Sequence, residues 1–242
     1  MLAAINVWKT YENTLHVIRG LSIEIEKGVT VGLSGESGCG KSTLARLLCC
    51  LERCDRGTVE LDGIICSKPR FKFRDASLLK EFRRKVQIIF QDSNGSLDPR
   101  MTVRQALAEP LGNFSLPYRR ASRKEKRRRV AELLERAGLD SDKAYNYPHE
   151  LSGGQRQRVV IARALAAGPE YLICDEPVSS LDAESRDGIV TLLVSLQRET
   201  GMGCLFISHD PVLTGQVSKR IYVMKDGRIT ETRFTEEGNK AL

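Results

Sequence analysis

The stretch richest in chemistry is Gly35-Glu36-Ser37-Gly38-Cys39-Gly40-Lys41-Ser42, which fits G-x-x-x-x-G-K-[ST]. Glycines let successive backbone N–H groups turn inward onto phosphate oxygens, and the N-terminus of a following helix adds a favourable dipole. Lys41 can reach the β- and γ-phosphates, and the Ser42 hydroxyl suits Mg²⁺. The flanks agree: Val29, Val31 and Leu33 alternate like a strand before the loop, and residues 43–51 read as a helix after it. Strand, glycine loop and helix together predict a nucleotide site.

A second constellation is acidic. Tyr171-Leu-Ile-Cys-Asp175 reads as a buried strand with Glu176 directly after it. Adjacent carboxylates there are costly unless a cation or solvent compensates. Asp175 stands where a strand end meets Mg²⁺ through water, and Glu176 can orient or deprotonate an attacking water. Two more strands run into polar residues: Gln91 follows Ile-Ile-Phe, and His209 follows Phe-Ile-Ser. In open α/β sheets, ligands bind beyond the carboxyl ends of the strands. Ser152-Gly153-Gly154-Gln155 precedes a helix over 155–166 and so reads as a second anion site. With one phosphate-loop lysine for two such sites, the economical reading is that the second serves the nucleotide of a partner subunit.

The elements that must position these residues follow from periodicity. Residues 21–26 alternate and end at Lys27-Gly28, and 57–63 close on Asp62-Gly63, which suggests an antiparallel edge sheet beside a parallel core. Residues 64–84 read as a connection with a short helix near 76–82, and 85–91 as a core strand entering a polar loop, 92–99. From about Met101 the texture is helical, with prolines at 110 and 117. Ser122 and Glu125 have capping-box spacing, and the helix they open carries Val130, Leu133, Leu134 and Ala137 on one face before stopping at Gly138. A helix over 182–200, a strand over 203–208, a helix over 211–219 and a hairpin turning at Asp226-Gly227 complete the pattern. The expected architecture is one α/β domain, with a core over about 1–91 and 166–242 and a helical insert over about 92–165.

A chain of 242 residues that is 41% hydrophobic can bury a sizeable core. No run approaches the ~18 apolar residues of a membrane span. The N-terminus lacks signal-peptide features, so the chain is expected to stay in the cytosol. The net charge of +7 suits an anionic ligand or surface without demanding nucleic acid. Seven cysteines without a C-x-x-C pair do not form a disulfide or zinc pattern. Cys39, beside a helix N-terminus, is expected to have a lowered thiol pKa. Residues 119–129 carry eight basic side chains, read as a solvated face or, more sharply, as a membrane-adjacent patch.

These residues give the chain an almost end-to-end resemblance to the ATP-binding subunits of ATP-binding-cassette (ABC) transporters. The phosphate loop 35–42, Gln91, Leu-Ser-Gly-Gly-Gln at 151–155, Leu-Ile-Cys-Asp-Glu at 172–176, Ser-Ser-Leu-Asp at 179–182 and His209 occur in that family's order. The resemblance implies an α/β P-loop NTPase fold, the ABC-type nucleotide-binding domain, with an antiparallel β edge and an inserted helical subdomain. It implies ATP with Mg²⁺, and catalytic roles for Glu176, His209, Gln91 and Lys41. Tyr11 would stack on adenine, with Trp8 as a weaker candidate. Gly35, Glu36, Ser37, Gly38, Cys39, Gly40, Lys41, Ser42 and Thr43 would hold the nucleotide, joined by Ser152, Gly153, Gly154, Gln155 and Asp182. Ser42, Gln91 and Asp175 would face the metal, and Asp182 would sit in a loop linking two sites across a dimer. Cys174 and Val178 depart mildly from the family pattern.

The implied partners are a second, similar but non-identical ATPase subunit in a head-to-tail dimer, two integral membrane permease subunits and an extracytoplasmic substrate-binding protein, with no nucleic acid. The implied location is the cytoplasmic face of the cell membrane, peripherally. Residues 147–158 and 90–102 are similar to the peptide and nickel importer branch, so the expected cargo is di- or oligopeptides or nickel. An end at Leu242, soon after the final hairpin, leans toward nickel or a metal chelate. A soluble ABC ATPase of the ribosome or of DNA repair resembles tandem cassettes or carries long coiled coils, and this chain has no heptad array. A P-loop kinase or GTPase leaves the Ser-Gly-Gly stretch unexplained.

Overall fold

In the computed structural model, the described residues are 1–12, 14–69, 76–92 and 95–235. The expected connection over 70–75, Ser93 and Asn94 of the polar loop, and the chain from 236 onward lie outside them. In chain order the first elements are β1 (Leu2–Tyr11), β2 (Leu15–Ile25), β3 (Thr30–Ser34), α1 (Lys41–Leu48), β4 (Arg56–Leu61), β5 (Ile64–Ser67), α2 (Ala76–Lys85) and β6 (Val86–Ile89). Then come α3 (Val103–Phe114), α4 (Leu116–Arg120), α5 (Arg123–Arg136) and α6 (Gly153–Leu165). The last are β7 (Tyr171–Asp175), α7 (Ala183–Thr200), β8 (Gly203–Ser208), α8 (Pro211–Val217), β9 (Arg220–Lys225) and β10 (Arg228–Phe234).

The chain divides into two compact units. The first comprises Met1–Ile88, Glu170–Glu176 and Gln197–Leu242; the second comprises Ile89–Pro169 and Pro177–Leu196. In the first unit, β2-β1-β4-β5 form an antiparallel sheet separate from the parallel strands, as the sequence pattern suggested. Asp62 and Gly63, at φ 51° and 79°, turn the chain back so that β5 pairs with β4, where a plain connection was expected. The larger sheet has the order β10-β9-β3-β8-β7-β6; β9, β3, β8 and β7 run parallel, and β10 is antiparallel to β9.

The burial patterns explain why the two kinds of strand read differently. From Leu21 to Ile25, β2 alternates buried and exposed, as an antiparallel strand with one wet face does. β7 and β8 are buried at every position, as central parallel strands are. One apolar cluster joins Leu2 and Val7 of β1, Leu33 of β3, Leu44 and Leu47 of α1, Ile173 of β7 and Leu205 of β8. That packing seats the helix behind the phosphate loop on both sheets of the unit.

The second unit is helical. Thr102 and Gln105 exchange side-chain and backbone bonds at the start of α3, a complete capping box, and α3 continues through Pro110. The box expected at Ser122 is only half made. Ser122 Oγ accepts from the Glu125 N–H at 3.2 Å, but the Glu125 carboxylate turns to Arg128 and Arg129. Charged guanidinium donors outcompete a neutral backbone N–H, and they hold the Glu125 carboxyl down to about 2. At its other end α5 stops as its sequence requires: Gly138 takes φ 69°, and Gly138 and Leu139 donate to the carbonyls of Glu135 and Leu134, each at 2.9 Å.

Ile173 is fully buried at the centre of this core, so Ile173→Ala should cost about 2–5 kcal/mol through lost transfer energy and the cavity left behind. Urea unfolding should show a lower midpoint with an unchanged slope.

Candidate functional site

The phosphate loop is held by backbone approaches that only glycine permits. A Cβ on Gly35 would lie 2.3 Å from the Met224 carbonyl oxygen, and one on Gly40 would lie 2.9 Å from that of Val17. Gly38 and Gly40 adopt φ 80° and 113°. The Gly227 N–H donates to the Cys39 carbonyl at 3.2 Å, so the β9–β10 turn braces the loop. Met224, Val17 and Gly227 were not singled out as supports; the Asp226-Gly227 pair signalled a turn and nothing of what it touches.

Helix α1 begins at Gly40, which supplies no side-chain cap, and its first turn carries no acidic residue. Its leading N–H groups are thus left for an anion. Helix α6 begins quite differently. Ser152 Oγ accepts from the Gln155 N–H at 3.2 Å, and Gln155 Oε1 accepts from the Ser152 N–H at 3.0 Å. An anion at that second glycine pair meets a helix start already capped by its own side chains. A Cβ on Gly154 would lie 2.8 Å from Ser185 Oγ, and Asp182 Oδ1 accepts from the Ser185 N–H at 2.9 Å. Asp182 therefore caps α7, and that hydrogen bond lowers its carboxyl pKa.

Within the first unit, five of the expected site residues converge. Lys41 is 5% exposed, and its Nζ donates to the carbonyls of Gly35 and Glu36 at 2.8 and 2.9 Å. Ser42 Oγ donates to Asp175 Oδ1 at 3.2 Å. Glu176 lies between two cationic or polar groups, with Oε1 3.9 Å from Lys41 Nζ and Oε2 3.2 Å from His209 Nδ1. Its backbone sits at φ 48°, outside the ordinary region for a side-chain-bearing residue, and its N–H donates to the Ile207 carbonyl at 3.0 Å. His209 is anchored by its neighbour: Asp210 caps α8, accepting from the Val212 and Leu213 N–H groups. Gln91 and Asp182 belong to the second unit, where Gln91 is exposed just past β6.

Burial pushes the Asp175 carboxyl upward, and the Ser42 hydrogen bond only partly offsets it. A carboxylate and a hydroxyl in contact at a buried strand end are a hard-oxygen pair that suits Mg²⁺, and a bound cation would relieve the desolvated charge. The uncapped α1 terminus and the buried ammonium of Lys41 suit the phosphates of ATP. Tyr11 donates its hydroxyl to Glu52, while the Lys9 ammonium sits 5.2 Å from its ring centre. Glu52, which also pairs with Lys9 and Arg46 at 3.6 Å each, had no sequence signal of its own. Trp8 is engaged by Arg56, 6.0 Å from its ring centre.

Cys39 departs from expectation. Half-buried beneath the loop, its thiol is pushed up by burial more than Lys41 pulls it down. The helix terminus does not outweigh lost solvation there. All seven cysteines are free.

A parallel sheet whose strand runs into a glycine loop, backed by a buried carboxylate from a second strand, defines a P-loop nucleotide-binding protein. The match narrows further: the ABC transporter family covers residues 18–179, and this chain belongs to it. It is 45% identical over 230 residues to the oligopeptide transport ATP-binding protein OppF of Bacillus subtilis (strain 168), spanning 94% of this chain and 72% of that one. A putative peptide import ATP-binding protein of Brucella abortus (strain 2308) is 47% identical over 221 residues, which span 90% of this chain and 63% of the relative. The glutathione import ATP-binding protein GsiA of Pectobacterium atrosepticum is 45% identical over 90% of this chain, which spans 33% of that protein. A dimeric bacterial ABC transporter cassette superposes with a TM-score of 0.84 at 32% identity, covering 97% of this chain and 98% of its own. A post-hydrolysis dimer bound to ADP and Pi gives 0.79 at 33% identity, with the same coverage. Among the described residues, no helix is long and apolar enough to cross a membrane.

Two outcomes test the electrostatics of the site. Because the folded pKa of Asp175 is raised, its contribution to stability is full below the unfolded carboxyl value of 3.8 and is lost as pH rises through the folded value. At neutral pH its charge opposes folding, so Asp175→Asn should raise the melting temperature in EDTA while weakening the stabilisation given by Mg-ATP. Cys39 should react slowly with iodoacetamide at neutral pH and faster as pH rises, and a Cys39→Ala control isolates its rate by mass spectrometry.

Proposed function

We propose that this chain is the ATP-hydrolysing subunit of an importer of di- or oligopeptides. The observation that carries the reading is the convergence of Lys41, Ser42, Asp175, Glu176 and His209 in one unit of an ABC cassette. Lys41 and the loop N–H groups bind the phosphates, Tyr11 offers its ring to adenine, and Ser42 and Asp175 would hold Mg²⁺. Magnesium, when held there, would supply positive charge that offsets the charge of the phosphates. Glu176 accepts the proton of the attacking water, and His209, hydrogen-bonded to Glu176 through Nδ1, keeps that carboxylate oriented. The Ser152–Gln155 stretch and Asp182 serve the nucleotide of a second cassette in a head-to-tail dimer. That dimer drives two permease subunits fed by an extracytoplasmic binding protein, with this chain peripheral on the cytoplasmic membrane face.

The names of OppF, of the Brucella relative and of GsiA favour peptide as the cargo. The leaning toward nickel rested on the end of the chain, and residues 236–242 lie outside the described residues.

Glu176→Gln should retain ATP binding, lose roughly 100-fold or more in hydrolysis, and accumulate an ATP-loaded dimer on gel filtration. A variant that stays monomeric with its partner cassette and hydrolyses normally would remove the assignment. Cells lacking the gene should lose labelled dipeptide uptake while taking up labelled nickel normally; unchanged entry of both would overturn the import reading.

A further inference from the structure

The charge of this chain is concentrated in one place. Residues 119–129 hold eight basic side chains and one acid, a net +7 that equals the formal charge of the whole chain. The other residues are therefore balanced overall. Three of the eight cations are occupied: Arg128 bonds Glu125 and Glu132, Arg129 bonds Glu125, and Lys126 lies 5.6 Å from the centre of the Tyr118 ring. Arg119, Arg120, Arg123, Lys124 and Arg127 are exposed and have no ion-pair partner among the described residues.

Their placement is unfavourable for the helices that carry them. Arg123 and Lys124 stand in the first turn of α5, at the positive end of its dipole, and Arg123 and Arg127 are like charges one turn apart. Arg119 and Arg120 end α4 two residues before α5, so the five cations lie in one short stretch of chain. A face that is merely solvated does not need this arrangement; an extended anionic surface offsets it. Nucleic acid fits less well, because single-strand grooves present stacking aromatics and Tyr118 is buried.

We propose that the α4–α5 segment docks on the anionic headgroups of a lipid bilayer, orienting the cassette at the membrane independently of its permease. This rests on the import reading for its setting but not on nucleotide chemistry, so the two can fail separately. Each cation near an anionic leaflet strengthens partitioning roughly fivefold, and the effect fades within about a Debye length.

The test is co-sedimentation of the purified full chain with phosphatidylcholine vesicles containing about one-third phosphatidylglycerol. Binding is expected at low salt, and it should be absent on pure phosphatidylcholine and lost at ~0.5 M salt. The quadruple variant Arg120→Gln, Arg123→Gln, Lys124→Gln, Arg127→Gln should bind at least ~10-fold more weakly. A control with the same charge change elsewhere (Arg53→Gln, Lys68→Gln, Lys225→Gln, Arg228→Gln) should bind like the parent. ATP binding measured on the same samples reports folding and the nucleotide reading separately. Equal vesicle binding by both variants, or retention on a single-stranded oligonucleotide with none on anionic vesicles, would overturn the proposal.

Discussion

The contact on which the site depends is the one between Ser42 and Asp175, residues 133 apart in sequence. Asp175 ends a strand buried along its whole length, where desolvation disfavours its charge. A single hydroxyl donor is a partial remedy, and a bound cation would complete it. Keeping the carboxylate there requires β7 between β8 and β6, and keeping the hydroxyl there requires α1 seated on the core by Leu44 and Leu47. At neutral pH the charge at that position opposes folding.

Close backbone packing supplies the second constraint. Gly35 lies under the Met224 carbonyl, Gly40 against Val17, and Gly227 donates to Cys39. A hairpin near the end of the chain and a strand near its start thereby clamp a loop between them in sequence. The loop's shape is imposed largely from outside, although the Cys39 N–H also closes a local turn onto the Glu36 carbonyl at 3.3 Å. The same packing half-buries Cys39 and pushes its thiol pKa up, against the lowering that its place beside a helix start suggested.

The two glycine-bearing helix starts differ in one physical respect. Gly40 brings no side chain to α1, while Ser152 and Gln155 close on each other at α6. An open terminus is ready for phosphate as it stands. A capped one must exchange internal hydrogen bonds for external ones before it can hold an anion.

The sequence by itself determined the local decisions. The alternation of β2, the continuous apolar run of β8, the glycine stop of α5 and the phosphate loop were all legible, because each follows from side-chain period or from the torsional freedom of one residue. Tertiary structure decided whatever depended on a choice between partners or on burial. Ser122 and Glu125 have capping spacing, yet Glu125 takes two guanidinium groups instead of the backbone. Residues 64–67 pair with β4 as β5 where a connection was expected, because strand spacing carries no information about which edge a short segment joins. Glu52 meets Tyr11, and Glu176 falls between Lys41 and His209, only because distant segments are folded together. Pattern in a sequence reports the period of the backbone; the competition for each charge and hydrogen bond is settled by what the fold brings within reach.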